Sequence, residues 1–128
     1  MKNSQQKSRL NKLGLILLFI VIYSCNIKES KLFGKYINAS EPGVTHYVEL
    51  KADSTFEHFY KTADTTIISK GEWRYRIKDS GEQIITFLTW NSLGKHKGEQ
   101  CKNCSWAVEV KDDELIFSYD SPEMNFNK

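Results

Sequence analysis

The feature that most constrains the fold is an alternation of apolar and polar side chains across residues 32–119. It is clearest in the run Gly71–Lys78, where Trp73, Tyr75 and Ile77 alternate with charged side chains. Successive side chains of a β-strand point to opposite faces of a sheet, whereas an α-helix repeats its apolar positions every three or four residues. The alternation therefore predicts an all-β fold for this part of the chain.

Turn-forming residues separate the alternating runs and predict how the strands connect. The predicted turns are Glu41–Gly43, Ala52–Ser54, Asp79–Gly81 and Lys111–Glu114. Because tight turns join antiparallel neighbours, we expect a small antiparallel meander or β-barrel of about seven or eight strands. A closed barrel of about eight strands has an interior that side chains can fill, or that can hold one small ligand.

The first long hairpin can be predicted residue by residue. Its strands are Thr45–Lys51 and Thr55–Lys61, and a three-residue loop between them fixes the register. The expected cross-strand pairs are Leu50 with Phe56, Val48 with His58, and His46 with Tyr60. These side chains then share one face of the sheet, which places both histidines inside a barrel.

The middle of the chain gives less regular signals. We expect separate strands at Thr65–Ser69 and Gly71–Lys78, followed by a strand at Gln83–Trp90 that is apolar on both faces. The residues Asn91–Asn103 are predicted to form the longest loop, because they hold two glycines and several charged side chains. Alternation resumes at Ser105–Val110, which predicts another strand.

The C-terminal segment is expected to finish the sheet. A strand is predicted at Leu115–Tyr119, with Leu115, Phe117 and Tyr119 facing inwards. Pro122 then breaks the pattern, since proline cannot donate to a β-ladder. The tail is expected to add a short edge strand through Met124 and Phe126, with a frayed end as the alternative.

The first residues of the chain have the composition of a helical secretory signal peptide. The run Leu13–Tyr23 is apolar and uncharged, and it is shorter than the roughly 20 residues that span a bilayer as a helix. Upstream of it lie only basic charges, at Lys2, Lys7, Arg9 and Lys12. A basic start followed by a short apolar core and a small residue is typical of an export signal. A transmembrane anchor remains an alternative.

The end of this leader, Ile22–Cys25, resembles the lipobox of bacterial lipoproteins, in a relaxed form with Tyr23 where a small residue is usual. The resemblance implies cleavage after Ser24 and acyl chains on Cys25. It predicts a signal peptide at residues 1–24, a tether at 25–31 and a domain at 32–128, held to a membrane of a bacterial cell envelope on its periplasmic or surface side. The alternative is an ordinary signal peptide followed by an incidental cysteine.

Net charge argues against a nucleic-acid partner. The precursor has 18 Lys and Arg against 16 Asp and Glu, but four of the basic residues lie in the leader. Removing residues 1–24 leaves 14 basic against 16 acidic residues, a net charge of −2. The basic balance of the precursor therefore belongs to the export signal, and no nucleic-acid partner is expected.

The domain resembles the small lipocalin-like β-barrel lipoproteins of bacterial envelopes. The segments that carry the resemblance are Phe33–Tyr36, Leu50–Phe56 and Gly71–Trp73; lipocalins proper have Trp where this chain has Tyr36. The resemblance implies binding of a small apolar or amphipathic ligand. Candidate lining residues are His46, His58, Tyr60, Trp73, Trp90 and Trp106. Alternatively, the histidines are structural, and the protein is an inhibitor, immunity or assembly lipoprotein that contacts a partner through the 91–103 loop.

No enzyme, cofactor or metal is expected. The chain has no Gly-rich phosphate loop, nucleophile elbow or helical zinc motif. Cys101 and Cys104 are predicted to form a disulfide, because paired cysteines outside the cytosol tend to oxidise. A redox pair would require a following helix and a zinc site two further ligands, so both remain weaker alternatives.

Overall fold

The computed structural model describes residues 29–94 and 101–128, and its barrel unit spans Phe33–Lys128. Eight strands follow one another along the chain, each pairs antiparallel with the next, and the sheet closes on itself. The strands are β1 Gly34–Ile37, β2 Thr45–Leu50, β3 Thr55–Lys61, β4 Thr66–Ile77, β5 Gln83–Asn91, β6 Lys102–Lys111, β7 Glu114–Ile116 and β8 Phe126–Asn127. The predicted all-β antiparallel barrel of about eight strands is confirmed.

Several predictions for the start of the chain fall outside the described residues. The signal peptide at 1–24 and the lipidated Cys25 precede the first described residue, Glu29. Most of the tether at 25–31 does so as well. These assignments remain predictions from the sequence.

The short strand β8 closes the barrel. Its residues pair with both neighbouring strands, Phe126 with Leu115 on β7 and Asn127 with Ile37 on β1. A side-chain network reinforces the closure, since the Asn38 Nδ2 atom donates to the backbone oxygen of Asn125 at 3.0 Å. Strand β8 therefore has a partner on each side, whereas the sequence predicted an edge strand.

The register of the β2–β3 hairpin is the predicted one. Leu50 pairs with Phe56, Val48 with His58, and His46 with Tyr60. The Lys51 N–H donates to the Thr55 carbonyl at 2.9 Å, so the loop holds the three residues expected. Ser54 takes a positive φ of 65° to complete the turn. All six paired side chains are buried, which confirms their shared inward face.

Strand β4 corrects one prediction. Residues 65–78 were expected to give two strands, but Thr66–Ile77 is one continuous strand of twelve residues. Strand β4 continues through Gly71, where neighbouring side chains leave no room for a Cβ atom. An added Cβ would lie 2.8 Å from the Phe56 ring and would also clash with Thr89. A glycine inside a strand often marks such a close approach.

The segment after β7 corrects a second sequence prediction, the inward orientation of Tyr119. Tyr119 was expected to face inwards but is 69% exposed, because β7 ends at Ile116. The Asn125 Oδ1 atom accepts hydrogen bonds from the backbone N–H groups of Phe117 and Ser118, at 2.9 and 3.1 Å. These two amides are thereby satisfied by a side chain, and the chain leaves the ladder.

Large side chains fill the barrel interior. The largest fully buried ones are Trp73, Tyr36, Phe56, Phe87, Leu50, Ile85 and Leu115. The Trp73 indole lies at the β2–β3 loop end, where its Nε1 atom donates to the Thr55 carbonyl at 3.0 Å. Phe56 and Phe87 pack edge to face behind it, with ring centroids 4.8 Å apart. The interior is therefore a packed core along most of its length.

Candidate functional site

The opposite end of the barrel holds a small recess, at the end where β5 finishes and β6 begins. We call it the histidine recess; it is lined by Asn38, His46, His58, Trp90, Ser92, Leu93, Trp106, Phe117, Met124 and Phe126. Its volume is about 30 Å³. A buried water needs roughly 10–15 Å³ of such space, whereas sites for organic ligands usually measure about 300–1,000 Å³. The recess therefore has room for a water-sized guest.

The two histidines meet directly beside this recess. The His46 and His58 Nε2 atoms lie 2.8 Å apart, and both side chains are buried. The Trp90 ring stacks on His58 at a centroid distance of 4.2 Å, and Phe126 packs edge-on against His46 at 4.8 Å. A hydrogen bond between two imidazole nitrogens needs one N–H and one lone pair, so at least one of the rings is neutral.

Electrostatics keep His58 uncharged. Burial and, to a smaller extent, the neighbouring His46 together lower the pKa of His58 to about 3, while a hydrogen bond with the Asn91 backbone opposes the shift. Desolvation disfavours the charged form of an imidazole, since a buried cation loses its hydration. At neutral pH His58 therefore offers a neutral ring that can donate or accept a hydrogen bond.

Tyr60 secures the rim beside the histidines. Its hydroxyl donates to the Glu41 Oε2 atom at 3.0 Å, and its ring packs edge-on against His46. Burial and the Glu41 carboxylate both raise the pKa of Tyr60. Gly94 lies against the same carboxylate at a φ of 97°, where an added Cβ would come within 2.6 Å of Glu41. The start of the 91–103 loop is thus fitted to the Glu41–Tyr60 pair.

The structure brings together some of the predicted lining residues and separates others. His46, His58, Trp90 and Trp106 line the histidine recess, whereas Trp73 belongs to the core at the other end. Tyr60 supports the recess without lining it. Sequence reasoning missed six lining residues: Asn38, Ser92, Leu93, Phe117, Met124 and Phe126. The inward alternation of the C-terminal segment could have indicated Phe117 and Phe126. Met124 was expected in a strand but lies in the 3₁₀ helix Pro122–Met124. Asn38, Ser92 and Leu93 lie between strands and gave no signal.

The predicted disulfide is present at this end of the barrel. Cys101 and Cys104 are bonded and close a loop with a sequence separation of three. The Cys101 N–H donates to the Ser92 Oγ atom at 3.1 Å, and the Asn103 N–H donates to the Asn91 Oδ1 atom at 3.0 Å. The two described ends of the 91–103 loop are therefore held side by side.

A larger hollow lies outside the barrel at the same end. We call it the rim groove; its residues are Ile67, Ile68 and Ser69 of β4, Asn91 of β5, Ser92, Leu93, Cys101 and Lys102. Its volume is about 510 Å³. Ile67 and Ile68 are 39% and 53% exposed, although they are large apolar residues in a strand. Asn91 bridges the groove floor, since its Nδ2 atom donates to the Ser69 Oγ atom at 2.9 Å.

Over the described ranges 29–94 and 101–128, no three His, Cys, Asp or Glu side chains group as a metal site. In the same ranges no helix has the length and apolar character needed to cross a bilayer. No protein-family model, curated protein or solved structure matches the chain. The histidine recess and the rim groove are the two candidate sites of this barrel.

Proposed function

We propose that this protein is a non-enzymatic lipoprotein of a bacterial cell envelope, whose barrel binds another envelope protein at the rim groove. Acyl chains on Cys25 would hold the domain at the membrane. The basic leader and the Ile22–Cys25 motif support this location. Stable anchoring needs more than one acyl chain, which is what the resemblance to bacterial lipoproteins implies for this cysteine.

The observation that carries the mode of action is the contrast between the two hollows. The histidine recess measures about 30 Å³ and cannot enclose an organic molecule, whereas the rim groove measures about 510 Å³. The groove combines two exposed isoleucines with the described ends of the 91–103 loop. Successive strand residues face opposite sides of the sheet, so the two isoleucines contribute to the groove wall separately. The support for a partner is therefore the open groove with apolar side chains on its wall.

Site-specific photocrosslinking in the native envelope tests the partner. A photoreactive residue placed at Ile68 should crosslink to one defined protein, and the same residue at Ile77 should not. Ile77 is a matched control because it is 48% exposed, close to the 53% of Ile68, but lies at the other end of β4, away from the groove. Equal crosslinking at both positions, or none at Ile68, would contradict the proposal.

Mass analysis of the protein purified from its own membranes tests the anchor. The expected species begins at Cys25 and carries diacylglycerol on its sulphur. A chain that retains residues 1–24, or one with an unmodified thiol, would rule out the lipoprotein assignment. The rim-groove experiment keeps its meaning in either case, because it concerns the barrel alone.

A second candidate function is binding of a small amphipathic molecule, of which only one end enters the histidine recess. The observation in its favour is the histidine recess, where aromatic walls surround the polar groups of His46, His58 and Asn38. We expect the double variant His46→Phe, His58→Phe to lose any small molecule that co-purifies with the parent protein while keeping its circular-dichroism spectrum. An unchanged set of co-purified molecules would exclude this candidate.

A further inference from the structure

The outer face of strands β1–β3 carries a row of apolar side chains. The register places Ile37 opposite Tyr47, and Tyr47 opposite Phe59. The chain neighbours Tyr36 and His58 are buried in the barrel, so the side chains of the row point outwards. We call Ile37, Tyr47 and Phe59 the outer row. It lies on the side of the sheet where an antiparallel barrel usually carries polar residues.

The stability of the sheet accounts for only part of this row. The Tyr47 and Phe59 rings stack with their centroids 4.9 Å apart, and cross-strand aromatic pairs of this kind stabilise a sheet. Ile37 lies outside this ring pair and is 52% exposed. An exposed isoleucine beside two half-buried aromatic rings leaves apolar surface that the packing of the sheet does not explain.

A hollow beside the outer row enlarges this apolar surface. Its volume is about 310 Å³, at the lower end of the range of roughly 300–1,000 Å³ for sites of organic molecules. Its apolar walls come from Ile37, Ala39, Val44 and Tyr47. We call it the outer hollow. It has room for part of an acyl chain.

The charged side chains of this face do not repel an anionic surface. On the outer face of β1–β3, the two lysines Lys35 and Lys61 balance the two glutamates Glu49 and Glu57. The Nζ atom of Lys70 on β4 lies 3.6 Å from the Glu57 carboxylate and adds a third cation. The face therefore has no excess of negative charge, although the mature chain carries a net charge of −2.

The predicted anchor decides what lies against this face. The chain from Cys25 to Gly34, where β1 begins, spans at most about 30 Å when fully extended. Ile37 follows three residues later, about 10 Å along the strand. A bilayer that holds Cys25 is therefore always within reach of the outer row, and the short tether gives this contact a high effective concentration.

We infer that the outer face of β1–β3 rests on the lipid surface of the anchoring membrane, with the outer row at the level of the headgroups and an acyl chain of a bilayer lipid in the outer hollow. Tyrosines with an apolar ring and a polar end, and lysines with long apolar stems, are typical of this boundary. The inference goes beyond the proposed protein contact and rests on the anchor at Cys25.

Quenching of a fluorescent label by nitroxide-bearing lipids tests this contact. The label is placed at Thr45→Cys on β2, or at Ala107→Cys on β6, four strands away in the eight-stranded barrel. Both residues are exposed, and the introduced cysteine is the one free thiol when Cys25 is acylated and Cys101 and Cys104 are bonded. In vesicles of phosphatidylcholine and phosphatidylglycerol, the label at Thr45 should lose most of its fluorescence and the label at Ala107 should lose little.

A charged substitution in the outer row provides the matched variant. Ile37→Glu should reduce the quenching of the Thr45 label to that of the Ala107 label, because a carboxylate loses its hydration and meets anionic headgroups at the lipid surface. Ile77→Glu should leave the quenching unchanged, since Ile77 is 48% exposed, close to the 52% of Ile37, but lies at the end of β4. Both variants should keep the circular-dichroism spectrum of the parent.

Equal quenching of the two labels, or quenching that Ile37→Glu does not reduce, would overturn the inference. A label signal that changes on dilution of the protein, without quenching, would overturn it as well, because it places a second copy on this face. Mass analysis of the same preparation separates this inference from the proposed function. An acylated Cys25 with an unquenched Thr45 label overturns the inference alone, whereas an unmodified Cys25 removes the anchor and the inference together.

Discussion

Acidification should destabilise the barrel through His58, a consequence of the way its ring is buried against Trp90 and His46. Burial lowers the pKa of His58 from 6.5 to about 3 in the folded protein. Between pH 6.5 and about pH 3, His58 is protonated in the unfolded chain but stays neutral in the folded protein. The contribution is therefore fully present above the unfolded pKa, and stability is lost as the pH falls from 6.5 towards 3.

The size of the effect follows from the two pKa values. Inside that window, each pH unit costs about 1.4 kcal/mol of unfolding free energy for one such group. Between pH 7 and pH 5, His58 alone should therefore remove about 2 kcal/mol. This is a large part of the total stability of a small domain, which is typically about 5–15 kcal/mol.

The assay is urea denaturation of the parent protein and of His58→Phe at pH 7 and pH 5. Phenylalanine keeps a flat ring against Trp90 but does not titrate. We expect the parent to lose about 2 kcal/mol more than the variant between the two pH values. Carboxylate titration is common to both proteins and cancels in this difference, as does any constant cost of the substitution. Equal losses in the two proteins, or an NMR titration of the His58 ring near pH 6.5, would refute the burial argument.

Further predictions concern the barrel closure, the disulfide and one turn, each measured as a free energy of unfolding. Asn125→Ala should cost about 3 kcal/mol because it orphans two backbone N–H groups, whereas the exposed neighbour change Asn127→Ala should cost less than about 0.5 kcal/mol; equal losses would deny the network its role. Replacing Cys101 and Cys104 by Ala should cost no more than about 2 kcal/mol and leave unfolding cooperative, since the closed loop is short. Asp113, at a φ of 63°, should tolerate Gly, whereas Val there should cost about 1–2 kcal/mol, and a neutral Val substitution would contradict the turn geometry.

The sequence by itself determined the parts of this fold that depend on neighbouring residues. Period-two alternation identified the strands, and the turn at Ala52–Ser54 fixed the β2–β3 register, because side-chain direction and turn type are local properties. The shared face of His46 and His58 followed from that register. The pairing of Cys101 with Cys104, three residues apart, could also be predicted from the sequence.

Only the tertiary structure decided how the strands close and what space remains. The closing strand β8 depends on hydrogen bonds between Asn38 and the backbone near Asn125, groups 87 residues apart, which no local pattern can encode. The same holds for the 2.8 Å contact between His46 and His58 and for the filled interior. Each results from packing between segments distant in the chain. The alternation of the sequence predicts the face of the sheet on which a side chain lies, and the closed barrel determines which residues that side chain contacts.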